Sequence, residues 1–388
     1  MPVIPFWYAI VNFKLKQYHF FILAFAFLAG YGFTPGSGSD GEVYTDLFNE
    51  FRRYDFAYYI KQIAGTYSND SGLLDIYSTS LLFLVSRFTA NPAFFFAVAG
   101  LIYYFFFLKL IYLIRTLIPV KKLKYFLPFF LGCVFIFDLF LGINGIRFAL
   151  AFVIFAYGAL LYLMHNTRSG LLIALSSILI HFSLFYSFLF LILFIPLKKI
   201  NVNVLVYIIV LIGFVFAEFF VGSINKNLNF SNDAYEQRVT SYTSETYIET
   251  RETGFKERNS YLQLDSVATY YFVIICFLIT KIPVFRIRFD RLANKLFSFS
   301  ALMLIHNFIS AQLIDTGSNR YYLLVIFFIL IYLLYLFYLN QNRTIFKAMT
   351  LIYLPILILH VLVILRTDTL VISPFSMIGN LFLVFFIN

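Results

Sequence analysis

Apolar runs of roughly 16–25 residues, separated by short polar turns, recur along most of the chain; at 1.5 Å per residue each is enough helix to cross about 30 Å of hydrocarbon. The runs lack the alternation of a strand, and hydrocarbon offers the backbone no hydrogen-bond partners, so the pattern predicts helices throughout. Spans are expected near residues 18–33, 93–114, 126–143, 147–164, 203–222, 266–283, 297–313, 321–340, 348–364 and 373–387. Two regions fit this scheme poorly. Residues 73–88 are apolar but short, and LLIALSSILIHFSLFYSFLFLILF (171–194) is long for one span and short for two. If each is one ordinary span, Lys121–Lys124 fall outside and Arg147 inside. If 73–88 is a half-helix and 171–194 a broken pair, the lysines are inside and Arg147 outside, which suits the tendency of short basic loops to stay cytoplasmic. Both readings give about twelve crossings, so the expected fold is an all-α polytopic bundle, residues 1–388 forming a single membrane domain.

Two polar stretches interrupt the pattern, 34–72 and 223–265, and both are expected as longer extracytoplasmic loops. Within the first, EVYTDLFNEFRRYDFAYYIKQI (42–63) sets aromatic and aliphatic residues at helical spacing beside charged ones. That is the pattern of an amphipathic helix lying along a membrane surface. The second lacks a core-forming pattern and reads either as a cover that orders on ligand binding or as a disordered connection. The first apolar run follows Lys14 and Lys16 as in a signal peptide, but with so many later spans it is expected to remain as the first helix.

Composition sharpens the class. Of 388 residues 61% are hydrophobic and 12% charged, too few polar groups to clothe a soluble domain. The net charge of +10 resides in short loops such as Lys121/Lys122/Lys124, Lys198/Lys199, Arg286/Arg288/Arg291/Lys295 and Arg343/Lys347. It is therefore a topology signal, and nucleic acid is not an expected partner. Cys133 and Cys276 both fall inside apolar runs and read as buried free thiols, with neither a disulfide framework nor a metal site.

Few residues break the apolar pattern in a way that suggests chemistry. In GINGIRFALAF (142–152), Arg147 is either a positive residue ending a span at the membrane edge or a ligand for an anion. Asn144 lies one turn before it, Gly142 and Gly145 permit close backbone approach, and a helix beginning here adds its N-terminal N–H groups to the guanidinium. Together these suit a phosphate, which arginine's planar fork pairs bidentately. His181 lies mid-run between Ser177 and Ser183, as a histidine satisfied by hydroxyls or as a hydrogen-bonding group or base at the foot of a cavity. Arg320, in LIDTGSNRYYLL (313–324), either pairs with Asp315 or is a second anion ligand near a helix start. Asp55, in RRYDFAYYI, is either one of several solvated charges or a base or hydroxyl-binding group beside a sugar. HExxH, CxxC, Walker and DxD motifs are absent from the sequence, and GSGSDG (36–41) matches a dinucleotide fingerprint in letters only, with no strand before it.

NGIRFALAF followed by the basic turn HNTRSG and then IHFS resembles the N-x-x-R…H-x-S pattern of the EpsG-like and Wzy-like polysaccharide polymerases. RRYDFAYYI is similar to their D-x-x-Y element, with Tyr54 before Asp55 where a small residue is the family's habit. LLDIYSTSLLFLVSRFTANPAFFF resembles the segment that follows, and NRYYLL the late arginine–tyrosine element. The resemblance covers about residues 40–340 in order. It implies a helical membrane glycosyltransferase of the GT-C kind in the bacterial cytoplasmic membrane, using undecaprenyl-pyrophosphate-linked oligosaccharide as substrate and membrane lipid as its surroundings. It implies no cofactor and no metal, and leaves room for a chain-length regulator protein as a partner. Arg147, His181, Arg320 and Asp55 are then the expected catalytic residues. Asn144, Arg53, Tyr58, Ser183, Asp315, Asn319 and Tyr321 are the expected substrate-binding ones. A glycan ligase with the same donor would use the same groups. A flippase for lipid-linked sugars is the rival from another class, disfavoured because no internal repeat is visible.

Overall fold

The computed structural model describes residues 19–36, 39–65, 76–118, 127–136, 139–197, 260–313, 318–341 and 343–371. These are helical, with no strand among the described residues. The expected spans 203–222 and 373–387, and nearly all of the 223–265 loop, lie outside them. By length and apolar composition four helices can cross a membrane, Ala93–Thr116, Ile146–His165, Tyr321–Leu339 and Thr344–Arg366, and shorter apolar helices accompany them. The chain gathers into two compact units, Met1–Val120 with Phe137–Leu184 and Ile364–Asn388, and Lys121–Ile136 with Phe185–Val363.

In the first unit α1 (His19–Tyr31) packs along α5 (Ala93–Thr116). Small residues make the contact close, for a Cβ on Gly100 would sit 2.9 Å from the Ala26 carbonyl oxygen. Lipid drives helices together weakly, so this kind of intimate packing has to do so. The polar stretch after α1 is ordered as two helices. α2 (Asp40–Phe51) starts at Ser39, whose hydroxyl accepts from the Glu42 N–H at 3.4 Å, and carries Asp40 and Glu42 in its first turn. That is a Ser-x-x-Glu start with acidic groups on the positive end of the dipole. Its buried residues, Gly41, Tyr44, Phe48 and Phe51, recur at three- and four-residue intervals, so one face is apolar and docked. Phe95 of α5 receives Tyr44 and Phe48 at ring-centroid distances of 5.7 and 6.5 Å.

α3 (Phe56–Gly65) follows a sharp corner and stacks Tyr59 on Phe83 of α4 (Ile76–Ser86) at 4.5 Å. The amphipathic segment is thus two helices, of which only α3 shows its apolar side, with Phe56 63% and Ile60 48% exposed. The short run 73–88 forms the eleven-residue α4 and no full span. The span expected at 126–143 is split between α6 (Leu127–Phe135) and α7 (Leu139–Asn144). α8 (Ile146–His165) then runs through the core and ends on Asn166 in the left-handed conformation, φ 53°. It pairs with α9 (Arg168–Ser176) where Gly158 faces Gly170; a Cβ on Gly170 would lie 2.7 Å from the Tyr162 nitrogen. A 3₁₀ turn (Ser177–Leu179) and a non-helical stretch through Ser183 separate α9 from α10 (Leu184–Leu197), so the awkward run 171–194 is indeed broken.

In the second unit α11 (Ser260–Ile279), α12 (Arg291–Leu313), α13 (Ser318–Leu339) and α14 (Thr344–Val371) run up and down, with α6 and α11 both against α13. Phe129 of α6 is held between Phe337 and Tyr353 at 4.5 and 4.7 Å. Cys133 and Cys276 are buried and free, as their apolar context predicts. One end of this unit is basic and pinned. Asn340 accepts the Arg288 N–H at 2.8 Å and donates to its carbonyl at 3.0 Å, Tyr335 donates to Asp290 at 2.6 Å, and Arg343 reaches the Arg286 carbonyl at 3.3 Å.

Candidate functional site

α7 ends at Asn144, Gly145 breaks the helix at φ −86° and ψ 44°, and α8 restarts at Ile146, so Arg147 is in the first turn of α8 as the sequence implies. Gly142 lies against the ring of Tyr103, where a Cβ has no room. The break turns Asn144 and Arg147 toward α2 together. Asn144 Oδ1 accepts the Gly41 N–H at 3.2 Å, and Arg147 Nε donates to Tyr44 Oη at 2.8 Å. Gly41 and Tyr44 are three residues apart on the buried face of α2, so one pair of residues grips one turn of that helix. Asn144 therefore closes one of the N–H groups that a helix start leaves unbonded. Tyr44, only 4% exposed, fixes the guanidinium through its rear nitrogen and leaves the orientation of the fork set by α2. Sequence reading passed over Tyr44, since a tyrosine in an amphipathic helix carries no special signal.

His181 occupies the break before α10, and its ring meets Phe148, the neighbour of Arg147 in α8, edge-on at 5.5 Å. The structure thus brings His181 to the start of α8. The Ser183 backbone N–H donates to His181 Nδ1 at 3.2 Å, and the Ser183 hydroxyl lies 2.7 Å from the same atom. A nitrogen that accepts from a backbone amide has no proton of its own, so the neutral ring carries its proton on Nε2 and offers a donor there. Ser177 serves elsewhere, its hydroxyl donating to the Ala174 carbonyl at 2.6 Å.

The D-x-x-Y element falls at the α2–α3 corner. α2 rises about 1.5 Å per residue, so this corner lies about 10 Å or more along the axis from Tyr44. Asp55 accepts the Tyr58 N–H at 2.9 Å, the geometry of a helix N-cap, and both Asp55 and Arg53 are exposed. Tyr58 stacks on Tyr54 at 3.7 Å and donates to Glu50 at 3.1 Å; partial burial and that bond raise its hydroxyl pKa. Arg87, which sequence reading did not single out, donates to the Phe51 carbonyl and covers the Phe83 ring at 4.6 Å, closing the other end of α2.

Arg320 and Asn319 lie in the first turn of α13 in the second unit, where the backbone alone is described, and Asp315 lies outside the described residues. Tyr321 is 4% exposed and meets the buried His306 of α12 edge-on at 4.5 Å, with Phe190 on the ring's other contact at 4.9 Å. Beside it Asn307 donates to Tyr270 Oη at 3.4 Å. One and a half turns up α11, Asp265 binds His360 of α14, with His360 Nδ1 2.9 and 3.1 Å from the two carboxylate oxygens, and Thr269 donates to the same carboxylate at 3.4 Å. His306 Nε2, Asn307 Oδ1 and His360 Nε2 are buried and have no hydrogen-bond partner among the described residues. None of Asp265, His306, Asn307 and His360 was singled out from the sequence. The signal was there, because ionisable side chains within apolar helices are costly and mark function more often than not. All of them sit at the end of this unit opposite its basic loops, for Asp265 stands about 21 Å up α11 from Ile279 at helical rise.

The fold and these sites together define an α-helical membrane protein with a fixed arginine at a helix start and a polar belt inside its second unit. The model of the EpsG family matches residues 17–377, and the chain belongs to that family. Membership carries a polysaccharide-polymerase-like role. No curated protein and no solved structure matches the chain.

Proposed function

We propose that the protein joins polyprenyl-pyrophosphate-linked oligosaccharide repeat units at the outer face of the bacterial cytoplasmic membrane. A growing glycan leaves its undecaprenyl pyrophosphate and is transferred to a hydroxyl of an incoming lipid-linked unit. The observation that carries this reading is Arg147, held at a helix start by Tyr44 of the outer segment. As the anomeric bond breaks, negative charge grows on the pyrophosphate, and a guanidinium held in place beforehand stabilises it without reorganising. Such a leaving group departs readily, so the residues present suffice for the chemistry. Arg320, at its own helix start, is the second basic group for a reaction whose donor and acceptor both carry a diphosphate. His181, a donor at Nε2, is assigned to sugar or phosphate oxygens, with Ser183 setting its ring. Tyr321, Asn319 and Asp315 are assigned to the sugar, while Asp55, Arg53 and Tyr58 order the outer segment and contact glycan that extends past it. Basic loops inside and the polar belt outside accord with the charge bias of membrane topology.

Separate replacement of Arg147 and Arg320 by Ala in cells tests the reading. The expected surface glycan is single repeat units in place of long chains. Loss of single-unit display as well identifies ligation or flipping as the blocked step and overturns the proposal.

A further inference from the structure

Transfer to a hydroxyl needs a proton acceptor, and the His181 tautomer is unsuited to it because its outer nitrogen already carries the proton. The geometry points to His360 as the general base of this protein and to Asp265 as the residue that positions it, an inference that rests on the polymerase reading above. With His360 Nδ1 2.9 Å from one Asp265 oxygen and 3.1 Å from the other, the ring proton is held on Nδ1 and donated to the carboxylate. Nε2 is then a lone pair, the opposite polarity to His181. That lone pair is buried and has no hydrogen-bond partner among the described residues, while the ring keeps an open edge, its side chain being 19% exposed. Asp265 is itself buried and shared with Thr269, so the carboxylate is fixed before any substrate arrives. His306 is the neighbouring alternative, but its ring contacts are the aromatic edges of Phe190 and Tyr321, which give an imidazolium far less support than a carboxylate does.

The step balances. The acceptor oxygen bonds to the donor's anomeric carbon as the bond from that carbon to the pyrophosphate oxygen breaks. The breaking bond's electron pair leaves with the polyprenyl pyrophosphate, and the hydroxyl proton moves to His360 Nε2. The imidazolium so formed lies against Asp265 until it releases the proton to water.

The test uses the full-length protein in lipid nanodiscs with lipid-linked repeat units extracted from cells lacking it, read as polymer per unit time and as substrate binding. Polymer from the unmodified protein is the reference, and its failure to form any polymer overturns the polymerase reading rather than the base assignment. H360A is expected to lose about 100-fold or more in turnover with binding retained, and added imidazole to restore part of it. H360N separates base from tie, because its amide N–H takes the place of Nδ1 and still donates to Asp265, while nothing stands at the position of Nε2. It is expected to fold like the unmodified protein and stay as slow as H360A. D265N is expected to lower turnover without weakening binding. Unmodified turnover in H360N, or an H360A defect that imidazole leaves untouched, makes the pair a structural clamp and overturns the inference.

Discussion

The two units each hold charge inside an apolar bundle, and they do so by different means. Around Arg147 a tyrosine hydroxyl of α2 accepts from Nε, and the Asn144 amide binds the same turn of α2 beside it. Around Asp265 the partner is an imidazole 95 residues away on another helix. A guanidinium set by a hydroxyl is placed to meet an anion, whereas a carboxylate against a histidine sets which ring nitrogen carries the proton. The first arrangement suits binding and the second suits proton transfer.

The largest expected effect follows from removing the cation. R147A should reduce polymer formation by about 100- to 1000-fold, with R147K recovering only part because an ammonium lacks the fork; polymer yield from the purified variants checks both. Next, D265A leaves the half-buried His360 without its acceptor and should destabilise the second unit by about 1–3 kcal/mol. Thermal unfolding in detergent reads this, and an unchanged midpoint argues that the pair does not exist. Y44F keeps the ring but removes its bond to Arg147 Nε, and should lower turnover by about tenfold with about 1 kcal/mol lost in stability. If Y44F is silent in turnover, α2 has no part in aiming Arg147. G170V forces a side chain against the Tyr162 backbone and should cost about 1–3 kcal/mol with chemistry otherwise intact, checked by the same melt. The smallest effect is D55A, which removes an exposed helix cap worth about 1 kcal/mol. Its polymer yield, set against that of R147A, shows which acidic or basic outer group takes part in transfer.

The legible parts of this molecule were those written in short-range pattern. Apolar run length located the four long apolar helices, and the irregular length of 171–194 signalled the break that holds His181. The GINGIR spacing placed Arg147 at a helix start, because glycine and asparagine are local breakers whose effect does not depend on the rest of the fold. The partner of that arginine was not legible, since Tyr44 is chosen by how α2 docks on α5. The Asp265–His360 pair was hidden for the same reason, as two unremarkable letters meet only when α11 and α14 pack in the same unit. Asp265 was even counted with the polar outer loop, where its carboxylate looked solvated. Asp55 was legible as a motif position, and the structure adds that its carboxylate caps α3.

The most direct measurement of the central claim is the stoichiometry of transfer by the purified protein without nucleotide or added metal. The account predicts one polyprenyl pyrophosphate released for each new glycosidic bond, with both products lost together in R147A. Release without bond formation, or equal turnover in R147A and the unmodified protein, contradicts it.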